Sequence, residues 1–310
     1  MRNLDWVRAH GLVDERSLAR YNSVNLLHLA AYGYPYARGA DLVLGADLMA
    51  VWFIVDDQFD GPISKSPGRA ARVCEEIISV FHQPAAASDA SPIATAFADV
   101  WCRISEGMSP GWLARAAHDW ELYFSAAPYE AATNLSGIVP DRGRYHQIRR
   151  LSDGMDSVMD MCERLGGFEV PSVAFQSPQL REMRRIVRRV PTYCNDLYSL
   201  AKEEPQGQII NIVLVIEKEQ RCTRQDAVQE VCGLINEQLD RFGVLQAEIP
   251  QLCDLLELSA AQRDAVHRYV EALALFMSGH HEWELATSRY SGRDLAWEDH
   301  LPGHTRNLLA

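Results

Sequence analysis

Residues 51–61 run Val-Trp-Phe-Ile-Val-Asp-Asp-Gln-Phe-Asp-Gly, so Asp56, Asp57 and Asp60 close an otherwise apolar stretch. On a helix, Asp56 and Asp60 are four apart and project from one face. Like charges at that spacing repel, and a helix C-terminus is the unfavourable end for anions. The dipole effect alone costs about 0.3–1 kcal/mol when exposed. A hard divalent cation relieves both penalties. Oxygen donors with no His or Cys beside them favour Mg²⁺ or Mn²⁺ over zinc. A solvated acidic helix end holding no metal fits the same residues.

A second oxygen-rich stripe lies far downstream. Asn195, Ser199 and Glu203 stand at i, i+4 and i+8, drifting only about 80° around a helix. Lys202 falls about 20° to the other side of Asn195, within reach of an anion held at the same place. A mixed-polarity surface helix explains this poorly, because Asn and Ser are weak mid-helix residues.

The pair of motifs, D-D-x-x-D at 56–60 and N-D-x-x-S-x-x-K-E at 195–203, resembles the bacterial class I terpene synthases. The resemblance implies one all-α domain over residues 1–310, a class I terpenoid synthase-like helical barrel whose mouth carries both motifs. It implies three Mg²⁺ ions, with Mn²⁺ able to substitute, held against the diphosphate of a linear prenyl substrate. Asp56 and Asp60 would bind one pair of ions, with Asp57 in support, and Asn195, Ser199 and Glu203 would bind the third.

Two weaker matches accompany these motifs. Arg150, with Asp153 three and Gly154 four residues on, resembles the family's diphosphate sensor. Gly154 in mid-helix would cost about 1 kcal/mol against Ala, so a helix break is expected there. Arg289-Tyr290 resembles the family's C-terminal Arg-Tyr pair, which donates hydrogen bonds to diphosphate. The barrel wall is expected to be aromatic, with Trp52 and Phe53 below Asp56, and Trp283 and Phe276 before Arg289. Aromatic faces stabilise cations by about 0.5–2 kcal/mol each and are not nucleophiles. Aromatics at helical spacing also serve as plain core. His280-His281-Glu282 is read as structural, since adjacent histidines diverge on a helix.

Helices must position all of these groups. Apolar residues recur at helical spacing over 15–32, 39–59, 66–82, 91–105, 110–133, 142–165, 178–203, 207–219, 223–246 and 261–287, about ten helices. Gly and Pro punctuate the gaps between them. No linker-like stretch or repeat divides the 310 residues. The net charge of −12 argues against nucleic acid and membrane partners. It also demands a local cationic pocket for an anionic substrate, which Arg150, Lys202, Arg289 and Tyr290 would supply. Seven cysteines, an odd number without a C-x-x-C pair, argue against a zinc site and against a disulfide framework, and indicate buried, reduced thiols and a cytoplasmic protein. A homodimer is held open. The acidic motif begins at Asp56, so an N-terminal capping segment is expected to be short or absent.

These readings point to a cyclase acting on farnesyl diphosphate, because Trp52, Phe53 and Trp283 would shorten the cavity. Geranyl and geranylgeranyl diphosphate remain as alternatives. A chain-elongating prenyltransferase would carry a second Asp-rich motif where Asn195–Glu203 stands. A non-catalytic helical scaffold would leave the oxygen stripe unexplained.

Overall fold

The computed structural model describes residues 3–15, 17–60, 63–83, 90–290 and 308, with the side chain of Asp60 outside that description. Among the described residues there is no β-strand. The helices are α1 (Asn3–Ala9), α2 (Leu18–Val24), α3 (Leu26–Gly33), α4 (Ala40–Asp60), α5 (Pro67–His82), α6 (Pro92–Ser105) and α7 (Pro110–Ser136). They continue as α8 (Arg142–Ser152), α9 (Met155–Gly166), α10 (Ser172–Phe175), α11 (Pro178–Glu203), α12 (Ile212–Gln220), α13 (Arg224–Leu255) and α14 (Ala260–Ala286). Single 3₁₀ turns follow at Glu204–Gln206 and Ser288–Tyr290.

Local chemistry sets most boundaries. Serines at 91, 109, 177 and 259 each accept a backbone N–H of the first helical turn, with proline next in three of the four; such caps satisfy otherwise orphaned donors. Two expected helices are split. The stretch 15–32 breaks at Asn25, whose φ of 60° is left-handed, a conformation Asn tolerates better than most residues. The stretch 142–165 breaks at Asp153-Gly154, where Gly154 takes φ +66° and opens α9. The expected helix ending at 246 instead runs to Leu255 with Pro250 inside it.

One large core joins most of the helices. A smaller cluster of Tyr145, Ile148, Tyr193, Leu200, Ile212–Ile216, Ala227 and Val231 ties α8 and α12 to α11 and α13. At the heart of the large core, Trp52 meets Phe97, Trp120 and Tyr123 edge-on and stacks on Phe124 at 5.4 Å. These aromatic contacts add to area burial and fix the rotation of α4. Trp52 and Tyr123 of this cluster also border a cavity, together with Met49, Phe53 and Asp56 of α4. No helix among the described residues is long and apolar enough to cross a membrane.

Candidate active site

The cavity has two lobes that share Phe53, Asp56, Tyr123, Arg149, Ser152 and Asn195 in their walls. The outer lobe is polar and adds Lys202, Glu203, Arg289 and Tyr290. The inner lobe is apolar and adds Leu29, Met49, Trp52, Met155, Val158, Pro191 and Phe276. Asp56 and Asn195, 139 residues apart in sequence, thus look into one opening.

The mouth is held by charge. Arg289, only 5% exposed, reaches Asp56 and Asp57 at 3.0 Å each, and Lys202 lies 3.5 Å from Asp57. Burial alone would raise the Asp57 carboxyl, but Arg289 and Lys202 outweigh it and hold it well below the usual carboxylate range. Next along the chain, the Tyr290 hydroxyl accepts a hydrogen bond from Asn195 Nδ2 at 2.8 Å. A continuous path, Asp56 to Arg289 to Tyr290 to Asn195, therefore crosses the opening. Arg289 also lies over the Phe53 ring at 4.8 Å, within cation–π range.

The donor set fits a hard divalent cation. The bond to Tyr290 uses the amide nitrogen of Asn195 and leaves its carbonyl oxygen as the acceptor. One turn on, Ser199 is 1% exposed and its Oγ has no hydrogen-bond partner. A buried hydroxyl without a partner is costly in a folded protein. Oxygen coordination would satisfy it. Asn195 and Glu203 line the cavity directly, whereas Ser199 stands behind that wall. Asp60 ends α4, and its side chain lies outside the described residues.

Arg150 and Trp283 do not reach the cavity. Arg150 is exposed and lines a separate groove with Arg181, Arg185, Arg188 and Arg189. Its neighbour Arg149 lines both lobes as well as that groove, and on α8 it shares a face with buried Tyr145 and with Ser152, which lines both lobes. Trp283 is 1% exposed and its indole N–H donates to Val24 O at 2.9 Å. That bond turns the ring away from the lumen, and Trp283 backs Phe53 edge-on at 5.2 Å. Trp52, Phe53 and Phe276 do line the wall.

Sequence reading also passed over Asp196. It is fully buried and accepts from Tyr145 Oη and Ile212 N at 2.7 Å each, while pairing with Arg149. Asn211 Nδ2 donates to its main-chain oxygen. Asp196 thereby pins α8 and the start of α12 to α11, immediately beside Asn195. The i, i+4 spacing of Tyr145 and Arg149 is the sequence signal for this arrangement.

Asp153 and Gly154 form the break between α8 and α9. The Asp153 carboxylate accepts from Met155 N at 3.0 Å. An added Cβ on Gly154 would meet the Tyr123 ring at 3.5 Å, so its positive φ rather than space restricts the position to glycine. Burial, reinforced by Asp156, pushes Asp153 up to about 8. The folded chain then keeps this proton to about pH 8, whereas the unfolded chain releases it near 3.8. Stability from this group is present in full below that lower value and is lost as pH rises through the higher one. Asp153→Asn is expected to flatten the decline of Tm between about pH 4 and pH 8. An unchanged slope in a pH series of thermal melts would count against this assignment.

The family model described as "Terpene synthase family 2, C-terminal metal binding" matches residues 47–241. The chain is 35% identical over 290 residues to pentalenene synthase of Streptomyces arenae, covering 93% of this chain and 86% of that one. It is also 35% identical to (-)-beta-caryophyllene synthase of Saccharothrix espanaensis, a protein described as farnesyl diphosphate cyclizing, over 99% and 88% of the two chains. Among solved structures, the linalool/nerolidol synthase of Streptomyces clavuligerus in complex with 2-fluorogeranyl diphosphate superimposes with a TM-score of 0.84. Its identity is 33%, and the match covers 91% of this chain and 96% of that one.

Proposed function

This chain belongs to the bacterial class I terpene synthases, and on that premise we propose that it cyclises farnesyl diphosphate to a sesquiterpene hydrocarbon or alcohol. The observation that carries the proposal is the shared opening of Asp56 and Asn195 above an apolar, aromatic lobe. A diphosphate fits the polar lobe and a hydrocarbon chain fits the apolar one.

The family uses divalent metal, and the residues of this chain suit it. Asp56 and Asp60 would hold one pair of Mg²⁺ ions, and Asn195, Ser199 and Glu203 a third, with Mn²⁺ an acceptable substitute. Bound Mg²⁺ supplies Lewis-acid neutralisation of the departing diphosphate. Arg289 and Lys202, which now pair with Asp56 and Asp57, stand ready to exchange carboxylate for phosphate oxygens. Burial pushes the Tyr290 phenol up, so its hydroxyl stays a donor at neutral pH. Arg149 is the guanidinium placed to meet diphosphate from the α8 side. Below the rim, Phe53, Trp52 and Phe276 line an aromatic wall that favours positive charge and excludes water. Gly154 lines the inner lobe at the break between α8 and α9, where its carbonyl accepts from Ser157 Oγ at 2.6 Å and Val158 N at 3.3 Å.

The curated caryophyllene synthase relative favours the fifteen-carbon substrate, and the 2-fluorogeranyl diphosphate complex of the linalool/nerolidol synthase favours a ten-carbon alternative. Seven unbridged thiols support a reducing, cytoplasmic setting. Purified enzyme with Mg²⁺ should be offered geranyl, farnesyl and geranylgeranyl diphosphates and the products separated by gas chromatography. A cyclic fifteen-carbon product from farnesyl diphosphate is expected. Turnover confined to another chain length would overturn the substrate assignment, and a longer linear diphosphate would overturn cyclisation.

A further inference from the structure

Behind the rim, between α11 and α14, lies a cluster that the cyclase reading does not use. One ligand atom from each of Cys194, His281 and Glu284 falls within 4.8 Å of the other two. Glu284 is 3% exposed, and neither of its carboxylate oxygens has a hydrogen-bond partner. His280 Nδ1 stands 3.4 Å from one of them without making a hydrogen bond. Burying a carboxylate this way is expensive unless a cation or a proton answers it. Cys194 is also buried, whereas His281 is exposed. The imidazole thus offers a path from solvent to the two buried ligands.

We propose that Cys194, His281 and Glu284 bind a zinc-type divalent cation that clamps α11 to α14. The ligand chemistry separates this site from the mouth. Thiolate, imidazole and carboxylate suit Zn²⁺ and its analogue Co²⁺, whereas the oxygen donors at Asp56 and Asn195 suit Mg²⁺. Zinc–ligand bonds of about 2.0–2.3 Å place ligand atoms roughly 3.5 Å apart. Even a pair at the full 4.8 Å closes to that spacing if each side chain moves about 0.6 Å. His281 and Glu284 are three apart and share a helical face, which the adjacent pair His280-His281 does not. Three protein ligands leave one position for water on the exposed side. Binding expels the Cys194 thiol proton to solvent.

The clamp sits one residue from Asn195 and six residues before Tyr290, the two groups joined across the mouth. Its consequence is a stiffer frame for that bond.

The test is a Co²⁺ titration of chelator-treated full-length protein with Mg²⁺ in excess. One equivalent of Co²⁺ is expected to produce a thiolate-to-cobalt charge-transfer band. Cys194→Ser should abolish the band, and the exposed-site variant His281→Ala should weaken Co²⁺ binding more than about a hundredfold while leaving the circular dichroism unchanged. Glu284→Gln should likewise weaken Co²⁺ binding, since it removes one of the three ligands. Absence of the band in the parent protein, or its persistence unchanged in Cys194→Ser, overturns the proposal.

Discussion

Asn195→Ala combined with Ser199→Ala is expected to lower turnover at least about a thousandfold while the helical fold survives. The two substitutions act on stability in opposite directions. Asn195→Ala removes the hydrogen bond to Tyr290 Oη, worth about 1 kcal/mol. Ser199→Ala removes a buried hydroxyl that has no partner, which relieves a desolvation cost of similar size. The melting temperature should therefore barely move. Catalysis has no such compensation, because both oxygens belong to the stripe that would hold a metal ion. Steady-state diphosphate release, measured beside a circular-dichroism melt, separates the two effects. Undiminished release would remove Asn195 and Ser199 from the metal assignment. Loss of the fold would show instead that the orphaned hydroxyl has a packing role.

The helical architecture was legible because it rests on local signals: apolar periodicity, serine caps and proline starts. The stretch 178–203 matches α11 at both ends, since Ser177 caps it and the 3₁₀ turn of Glu204–Gln206 closes it. The breaks at Asn25 and Gly154 were harder, because a single left-handed residue hardly disturbs the hydrophobic pattern on either side. Gly154 was recognisable as a break only through its cost in mid-helix. That Asp56, Asn195 and Glu203 would share one opening was legible, because acidic and amide oxygens at helical spacing in two distant segments suggest a common ligand. Other three-dimensional relations were not. Trp283 has the spacing of a wall residue, yet a bond to the Val24 carbonyl, 259 positions away, turns it outward. Cys194 and His281 meet only because α11 packs on α14. Likewise, the choice between Arg149 and Arg150 depends on which face of α8 the Tyr145–Asp196 bond fixes inward.

That choice yields the second large effect. Arg149→Ala is expected to unfold the protein at markedly lower temperature and to abolish activity, whereas Arg150→Ala should leave both nearly unchanged. Arg149 pairs with Asp196, which is fully buried. Removing the guanidinium strands a carboxylate that retains only the Tyr145 hydroxyl and the Ile212 N–H. Breaking a buried pair by deleting one partner costs about 3–5 kcal/mol, a large part of the about 5–15 kcal/mol that holds a domain folded. Arg150 is exposed, and truncating a solvated side chain of this kind usually changes stability by less than about 0.5 kcal/mol. Arg149→Lys separates the structural role from the catalytic one. It keeps the positive charge beside Asp196 but loses the planar fork that can bridge a carboxylate and a diphosphate together. Its expected signature is a Tm much closer to the parent protein, with turnover still reduced at least about tenfold. Thermal melts and diphosphate release on the three variants decide the matter: if Arg150→Ala rather than Arg149→Ala destroys activity, the α8 face has been assigned the wrong way round.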